Sequence, residues 1–177
     1  MSLYFITSNK SKFGEVKSVL GTIEQLDIDL PEIQDMDARV IIRAKLEEAK
    51  KHHDGDFIVE DTSLYLSALN GLPGPLIKWF LKALGNDGLY TLATKFQNTE
   101  AEAKTIIGYL REGEVHFFEG VVPGKIVAPR GESGFGWDAI FQPLGKERTF
   151  AEMTAEEKNS YSMRRIAAQK LTQFLGN

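Results

Sequence analysis

Phe57-Ile58-Val59-Glu60-Asp61-Thr62 is the stretch on which the reading of this chain turns. Its apolar start predicts a short strand over Phe57–Glu60, and that strand runs directly into acid. In open α/β sheets, ligands gather at the carboxyl ends of strands. Neighbours in an extended chain point to opposite faces. One of Glu60 and Asp61 is therefore expected to aim into a site and the other elsewhere. A carboxylate there can hold Mg2+, which takes few protein oxygens and keeps waters or phosphates. It can also accept a proton from attacking water. The same residues also read as a solvated turn with an Asx cap.

Upstream, Leu3–Thr7 predicts a strand, followed by a polar turn and a helix from about Lys10 to Leu20 with Val16, Val19 and Leu20 as its apolar stripe. Gly21 closes that helix. A second strand is expected over Ile23–Leu30, ending at Pro31, and a helix over Val40–Lys51. Downstream, Gly71-Leu72-Pro73-Gly74-Pro75 is turn chemistry, and Pro75 suits the first turn of a helix over Leu76–Leu84. In that helix Trp79 and Phe80 are expected in the core, and a short helix follows near Gly88–Phe96. Ala103–Leu110 and Val115–Val122 read as a hairpin about Arg111–Glu114, continued by Lys125–Ala128. A Gly-rich loop, Arg130–Gly136, leads into Asp138–Phe141. A last helix, Ser162–Leu175, is expected to bury Ala167, Leu171, Phe174 and Leu175. The order is mixed α/β with antiparallel pairing in the second half. No repeat, low-complexity tract or linker divides the 177 residues, so a single domain over 1–177 is expected.

Composition narrows the function. The chain has no cysteine, which excludes disulfides, thiolate metal sites and cysteine nucleophiles and suits a reducing cytoplasm. No stretch reaches the roughly 20 apolar residues that span a bilayer. The opening residues lack the basic and apolar regions of a signal peptide. The formal charge of −4 argues against a protein that grips duplex nucleic acid. A pocket for a small phosphorylated ligand needs only a few cations, so that class stays open.

Four further segments can carry chemistry. Thr7-Ser8-Asn9-Lys10-Ser11-Lys12 sets a helix start after a strand, where backbone N–H groups and lysines attract anions. An N-cap by Ser8 or Asn9 with two solvated lysines reads the same residues without function, and no Walker pattern is present. Lys78 follows the Gly71–Pro75 turn near a helix start, and also reads as a plain surface lysine. Ser133-Gly134-Phe135-Gly136-Trp137-Asp138 offers backbone for close approach, two aromatic faces for stacking a base, and a carboxylate to accept base N–H groups. Simple packing accounts for it equally. Lys158 and Ser162-Met163-Arg164-Arg165 put cations at a helix start, against the macrodipole unless an anion or carbonyl compensates.

Taken in order, these segments resemble the inosine triphosphate pyrophosphatase family, which removes non-canonical purine nucleotides. The resemblance covers nearly the whole chain. It is carried by Val59–Leu64, Gly71–Phe80, Ile126–Gly131, Phe135–Asp138, Phe150–Met153 and Glu157–Asn159. It implies a long twisted mixed sheet with flanking helices and two lobes around a nucleotide-binding cleft. It also implies a homodimer, Mg2+ as cofactor with Mn2+ as a substitute, and cleavage of ITP, dITP or XTP to the monophosphate and pyrophosphate. Position by position, Thr7, Ser8, Asn9 and Lys12 match the triphosphate-binding turn. Glu32 and Asp61 match metal carboxylates, and Asp61 also matches the residue that orients or deprotonates water. Thr62 lies beside it. Lys45, Lys78 and Lys158 match substrate lysines. Phe135, Gly136, Trp137 and Asp138 match the base-binding loop, and Arg164 matches the reader of the purine 6-keto group.

Two departures stand out. Where the family commonly has Ser-His-Arg, this chain has Ser162-Met163-Arg164, and a thioether neither bonds like imidazole nor carries a proton. Met163 is therefore expected to bear on base selectivity. The family's acid at the start of the helix after the second strand is also absent from Ala38-Arg39-Val40, with Asp35 and Asp37 upstream. A broader nucleoside triphosphate pyrophosphatase, or a nucleotide-binding protein with weak catalysis, are the alternative readings.

Overall fold

The computed structural model of the protein describes residues 3–132 and 134–176. β1 (Leu3–Ile6) passes through a three-residue turn into α1 (Lys10–Leu20), closed by Gly21 at a φ of 77° with its N–H on the Lys17 carbonyl. Strand, turn, helix and stop all follow the expectation. β2 is shorter than expected, Glu24–Leu26. It lies at the edge of the sheet, and Ile28 and Leu30 pack, partly buried, against a core from irregular chain instead. α2 (Ala38–Ala49) begins at Asp37, whose carboxylate accepts the Arg39 N–H.

β3 (Asp56–Leu66) corrects the expectation of a strand ending at Glu60. It runs eleven residues through both acids, because buried Leu64 and Leu66 extend the apolar register beyond them. β4 (Pro73–Gly74) pairs antiparallel with Leu64 and Tyr65 of β3. α3 (Ile77–Lys95) joins the two expected helices across a break at Gly85, where φ is 66° and ψ −177°. β5 (Glu100–Arg111) and β6 (Glu114–Ile126) form the expected hairpin about Glu112-Gly113, both at positive φ, as tight two-residue hairpin turns require. β7 (Phe141–Pro143) pairs antiparallel with β6. α4 (Ala155–Asn159) was not expected from the sequence, while α5 (Met163–Leu175) was.

Among the described residues the strands form one seven-stranded mixed sheet in the order β2-β1-β3-β5-β6-β7, with β4 on β3. β1 runs parallel to both β2 and β3. This is the expected mixed α/β class with flanking helices. No described helix is long and apolar enough to cross a membrane.

The chain divides into two compact units. The first takes residues up to Thr62, Thr105–Gly120, and Met163 onward. Its strands show the period of two directly. Phe5, Ile58 and Ile107 meet Val16 of α1 and Ala167, Ala168 and Leu171 of α5. Their neighbours Ile6, Phe57 and Ile106 meet Ala38, Ile42 and Leu46 of α2. The first turn of α5 lies hard against β6 at Gly120. A Cβ there would stand 1.9 Å from the Met163 carbonyl oxygen and 2.8 Å from the Ala167 nitrogen, so only glycine admits the helix. Phe174 and Leu175, expected in the buried stripe, are each 37% exposed, because the last turn of α5 runs to the surface. Phe174 rests there against His116 and Phe118.

The second unit holds Ser63–Lys104 and Val121–Ser162. Phe141, Phe150 and Trp137 form its aromatic centre. Trp79, expected in the core, is instead largely exposed beside the Lys82 ammonium. Residues 77–80 open α3 at the surface, where Ile77 is buried and Phe80, also expected in the core, is half-buried.

Candidate functional site

The first unit gathers charge around Glu60. The pleat of β3 buries that side chain, while Asp61 beside it is half-buried. Glu60 Oε1 lies 2.7 Å from Lys12 Nζ. Glu60 Oε2 accepts from Arg164 Nε at 2.6 Å, and Oε1 accepts from Nη2 at 3.2 Å, a two-point grip of guanidinium on carboxylate. Arg164 Nη1 donates to Glu15 Oε2 at 2.5 Å, and Nη2 also donates to Thr62 Oγ1 at 3.3 Å. Thr62 in turn shares a hydroxyl hydrogen bond of 2.9 Å with buried Thr105.

Burial alone would raise the Glu60 carboxyl. The Arg164 charge, then the Lys12 charge and the direct bonds from both, override it and hold Glu60 at about 2. Burial alone would lower Arg164, and the Glu60 and Glu15 carboxylates push it well above its ordinary value. Both groups are therefore locked in their charged forms.

The turn before α1 supplies local order. Asn9 Oδ1 accepts the Lys12 N–H at 3.0 Å, and the Asn9 N–H donates to Thr7 Oγ1 at 3.1 Å. Asn9 is thus the N-cap, Ser8 is exposed, and Lys12 stands in the first turn with its ammonium on Glu60. Lys45, from the buried side of α2, lies 3.5 Å from Glu32, whose side chain is about half exposed. Among the described residues no three His, Asp or Glu side chains form a ready-made metal cluster. The carboxylates of Asp61 and Glu32 are hard oxygen donors of the kind Mg2+ takes one or two at a time.

In the second unit the residues 134–138 form a tight turn. Asp138, buried, accepts the Phe135 N–H at 2.7 Å and Lys158 Nζ at 2.5 Å, both on Oδ2. Ala151 N–H ties to the Asp138 carbonyl at 3.1 Å. Of the two rings offered by the sequence, Phe135 is 71% exposed. Trp137 is 4% exposed, edge-on to Phe141 and near Phe150. Phe135 is the ring that can present a face to a base. Ser133 of that segment lies outside the described residues. Lys78 is the second residue of α3 and exposed. Met163 is buried, with its carbonyl against Gly120.

The structure thus brings Lys12 and Arg164 onto the Glu60 carboxylate, Thr62 onto Arg164, and Lys158 onto Asp138. It also adds two residues that sequence reading missed. Glu15 sits one helical turn after Lys12, so its shared face was legible from the i, i+3 spacing. Thr105 carried no local signal.

These features can be set beside known proteins. A model of the Ham1 family matches residues 3–174. The chain belongs to the Ham1 family. An inosine triphosphate pyrophosphatase of Schizosaccharomyces pombe is 48% identical, covering 98% of this chain and 95% of that protein. One from Puccinia graminis f. sp. tritici is 43% identical over 98% and 96%. Among solved structures, a Ham1 protein of Staphylococcus aureus has a TM-score of 0.79 at 26% identity, covering 99% of this chain and 98% of the other. A nucleoside-triphosphatase described as a dITP/XTP pyrophosphatase from Mycobacterium abscessus has a TM-score of 0.78 at 26% identity over the full length of both chains. In this Ham1-family chain, the Glu60 network and the Phe135 turn are the two places where its family chemistry is to be sought.

Proposed function

We propose that this Ham1-family chain hydrolyses ITP, dITP and XTP to the nucleoside monophosphate and pyrophosphate. The observation that carries the reading is the 48% identity, over 98% of the chain, with a protein named inosine triphosphate pyrophosphatase. Lys12 and the N-terminal turn of α1 neutralise phosphate charge. Glu60 does not react. Its buried carboxylate holds the Lys12 ammonium and the Arg164 guanidinium in place. Asp61 orients the attacking water and takes its proton as the water oxygen bonds to phosphorus. The phosphoanhydride bond breaks, and pyrophosphate carries away the bonding pair. Asp61 and Glu32 would hold Mg2+, or Mn2+ in its place, which supplies positive charge to the triphosphate. Lys45, Lys78 and Lys158 add cations, and the remaining catalysis is positioning and electrostatics. Phe135 stacks on the purine. The same reading makes a second copy of the chain the partner and the cytoplasm the compartment, with no role on nucleic acid.

A second reading, broader base tolerance, is favoured by the surroundings of Arg164. Its Nε, Nη1 and Nη2 already serve Glu60, Glu15 and Thr62, and Met163 cannot add a polar contact. Pyrophosphate release from ITP, dITP, XTP, GTP and ATP, with and without Mg2+, decides between them. Asp61→Asn is expected to lower the rate by roughly 100-fold or more, as loss of a positioned base does. An unchanged rate refutes the role of Asp61.

A further inference from the structure

The break in α3 at Gly85 makes Asn86 the first residue of a second helical segment. Gly85, outside helical φ/ψ, holds the N-cap place, so Asn86 stands at the first helical position and is not the cap. Its Nδ2 donates to the Gly136 carbonyl at 3.1 Å, fifty residues away. Its Oδ1 is buried with no hydrogen-bond partner among the described residues. Turning the amide over would set Oδ1 against the Gly136 oxygen, so the donor is held to this one partner. A buried acceptor left unmatched is a cost that folded chains rarely carry without a reason outside stability.

The far end of this bond supplies the reason. Asp138 pins the 134–138 turn at two points, through the Phe135 N–H and through Lys158. Neither contact touches Gly136, which sits between them at a φ of 58°. Its carbonyl is held by Asn86. Phe135 therefore projects its exposed ring from a turn fixed on both sides of it. We propose that Asn86 is a positioning residue for base recognition: by holding the Gly136 carbonyl it fixes the direction in which Phe135 offers its ring to the purine. This rests on the base-binding reading of the turn. The bond Asn86 donates goes to the turn that carries Phe135, so its effect is expected on base binding and not on the chemistry.

Asn86→Asp keeps the shape and replaces the donor with an oxygen that repels the carbonyl, and Asn86→Ala removes the contact. Each is expected to raise KM for ITP by roughly three- to tenfold, the worth of one neutral hydrogen bond. In both, kcat stays near wild type, and so does competitive inhibition by inorganic tripolyphosphate, which has no base. A purely structural role moves KM and the tripolyphosphate constant together, and that result, or an unchanged KM, overturns the proposal. Phe135→Ala separates the two levels of inference. If it raises KM for ITP while the Asn86 variants do not, only the role of Asn86 falls. If it leaves KM unchanged, the base-binding reading falls and this proposal with it.

Discussion

Replacing Glu60 with glutamine removes one charge from the centre of the site and leaves its shape. Arg164 then keeps Glu15 and Thr62 as partners, and Lys12 loses its carboxylate. The gap between an ordinary glutamate at 4.5 and Glu60 at about 2 measures how strongly the folded chain prefers the ionised form. It converts to about 3 kcal/mol, near the lower end of what breaking a buried ion pair costs. For a domain of this size that is a fall in Tm of roughly 6–12 °C. The pH dependence follows from the direction of the shift. A carboxylate held below its unfolded value stabilises the fold above that unfolded value, and the contribution is lost as pH falls toward the folded one. The difference between wild type and Glu60→Gln is therefore full at neutral pH, shrinks below about 4.5 and is gone near 2. Urea unfolding of both proteins at neutral and acid pH measures it. A difference under about 1 kcal/mol at neutral pH, the range of an exposed pair, would refute the reasoning, as would one of constant size across the acid range.

Two further outcomes follow from the same structure. Gly120→Ala forces a Cβ into the Met163 carbonyl, and because the neighbour is backbone the first turn of α5 must move; a loss of about 3 kcal/mol by urea unfolding is expected, with a fall in ITP hydrolysis because Arg164, which pairs with Glu60, moves too. Tyr109 is pushed up to about 12 by burial first and then by its hydrogen bond to Asp56. Its hydroxyl stabilises the fold below the ordinary tyrosine value of 10 and loses that contribution as pH rises toward 12. Thermal scans at alkaline pH should show wild type losing stability in that window and Tyr109→Phe losing less.

Local chemistry made the first half of the fold legible. Leu3–Ile6, the capped turn, α1 and Gly21 were readable because each signal acts within a few residues. β2 was over-read because its apolar alternation persists to Leu30, whereas an edge position ended the pairing at Leu26. β3 was cut short because two acids look like the end of a strand. Partners far away in sequence, Lys12 and Arg164, make a buried glutamate tolerable there. The same distance explains why local reading left Glu60 and Asp61 as equal candidates. Trp137 shows the reverse limit. A tryptophan at the end of a Gly-rich loop suggested an open face, and its burial is set by Phe141 and Phe150, which no local pattern announces.

The bond between Glu15 and Arg164 joins residues 149 apart, and the arginine lies in the last helix of the chain. Chains are made from the N-terminus. Glu15 and Glu60 are therefore present before Arg164, and until α5 forms Glu60 has the Lys12 ammonium without the guanidinium. Burying a carboxylate short of its partner is costly, so the docking of α5 and the burial of these two acids are coupled events.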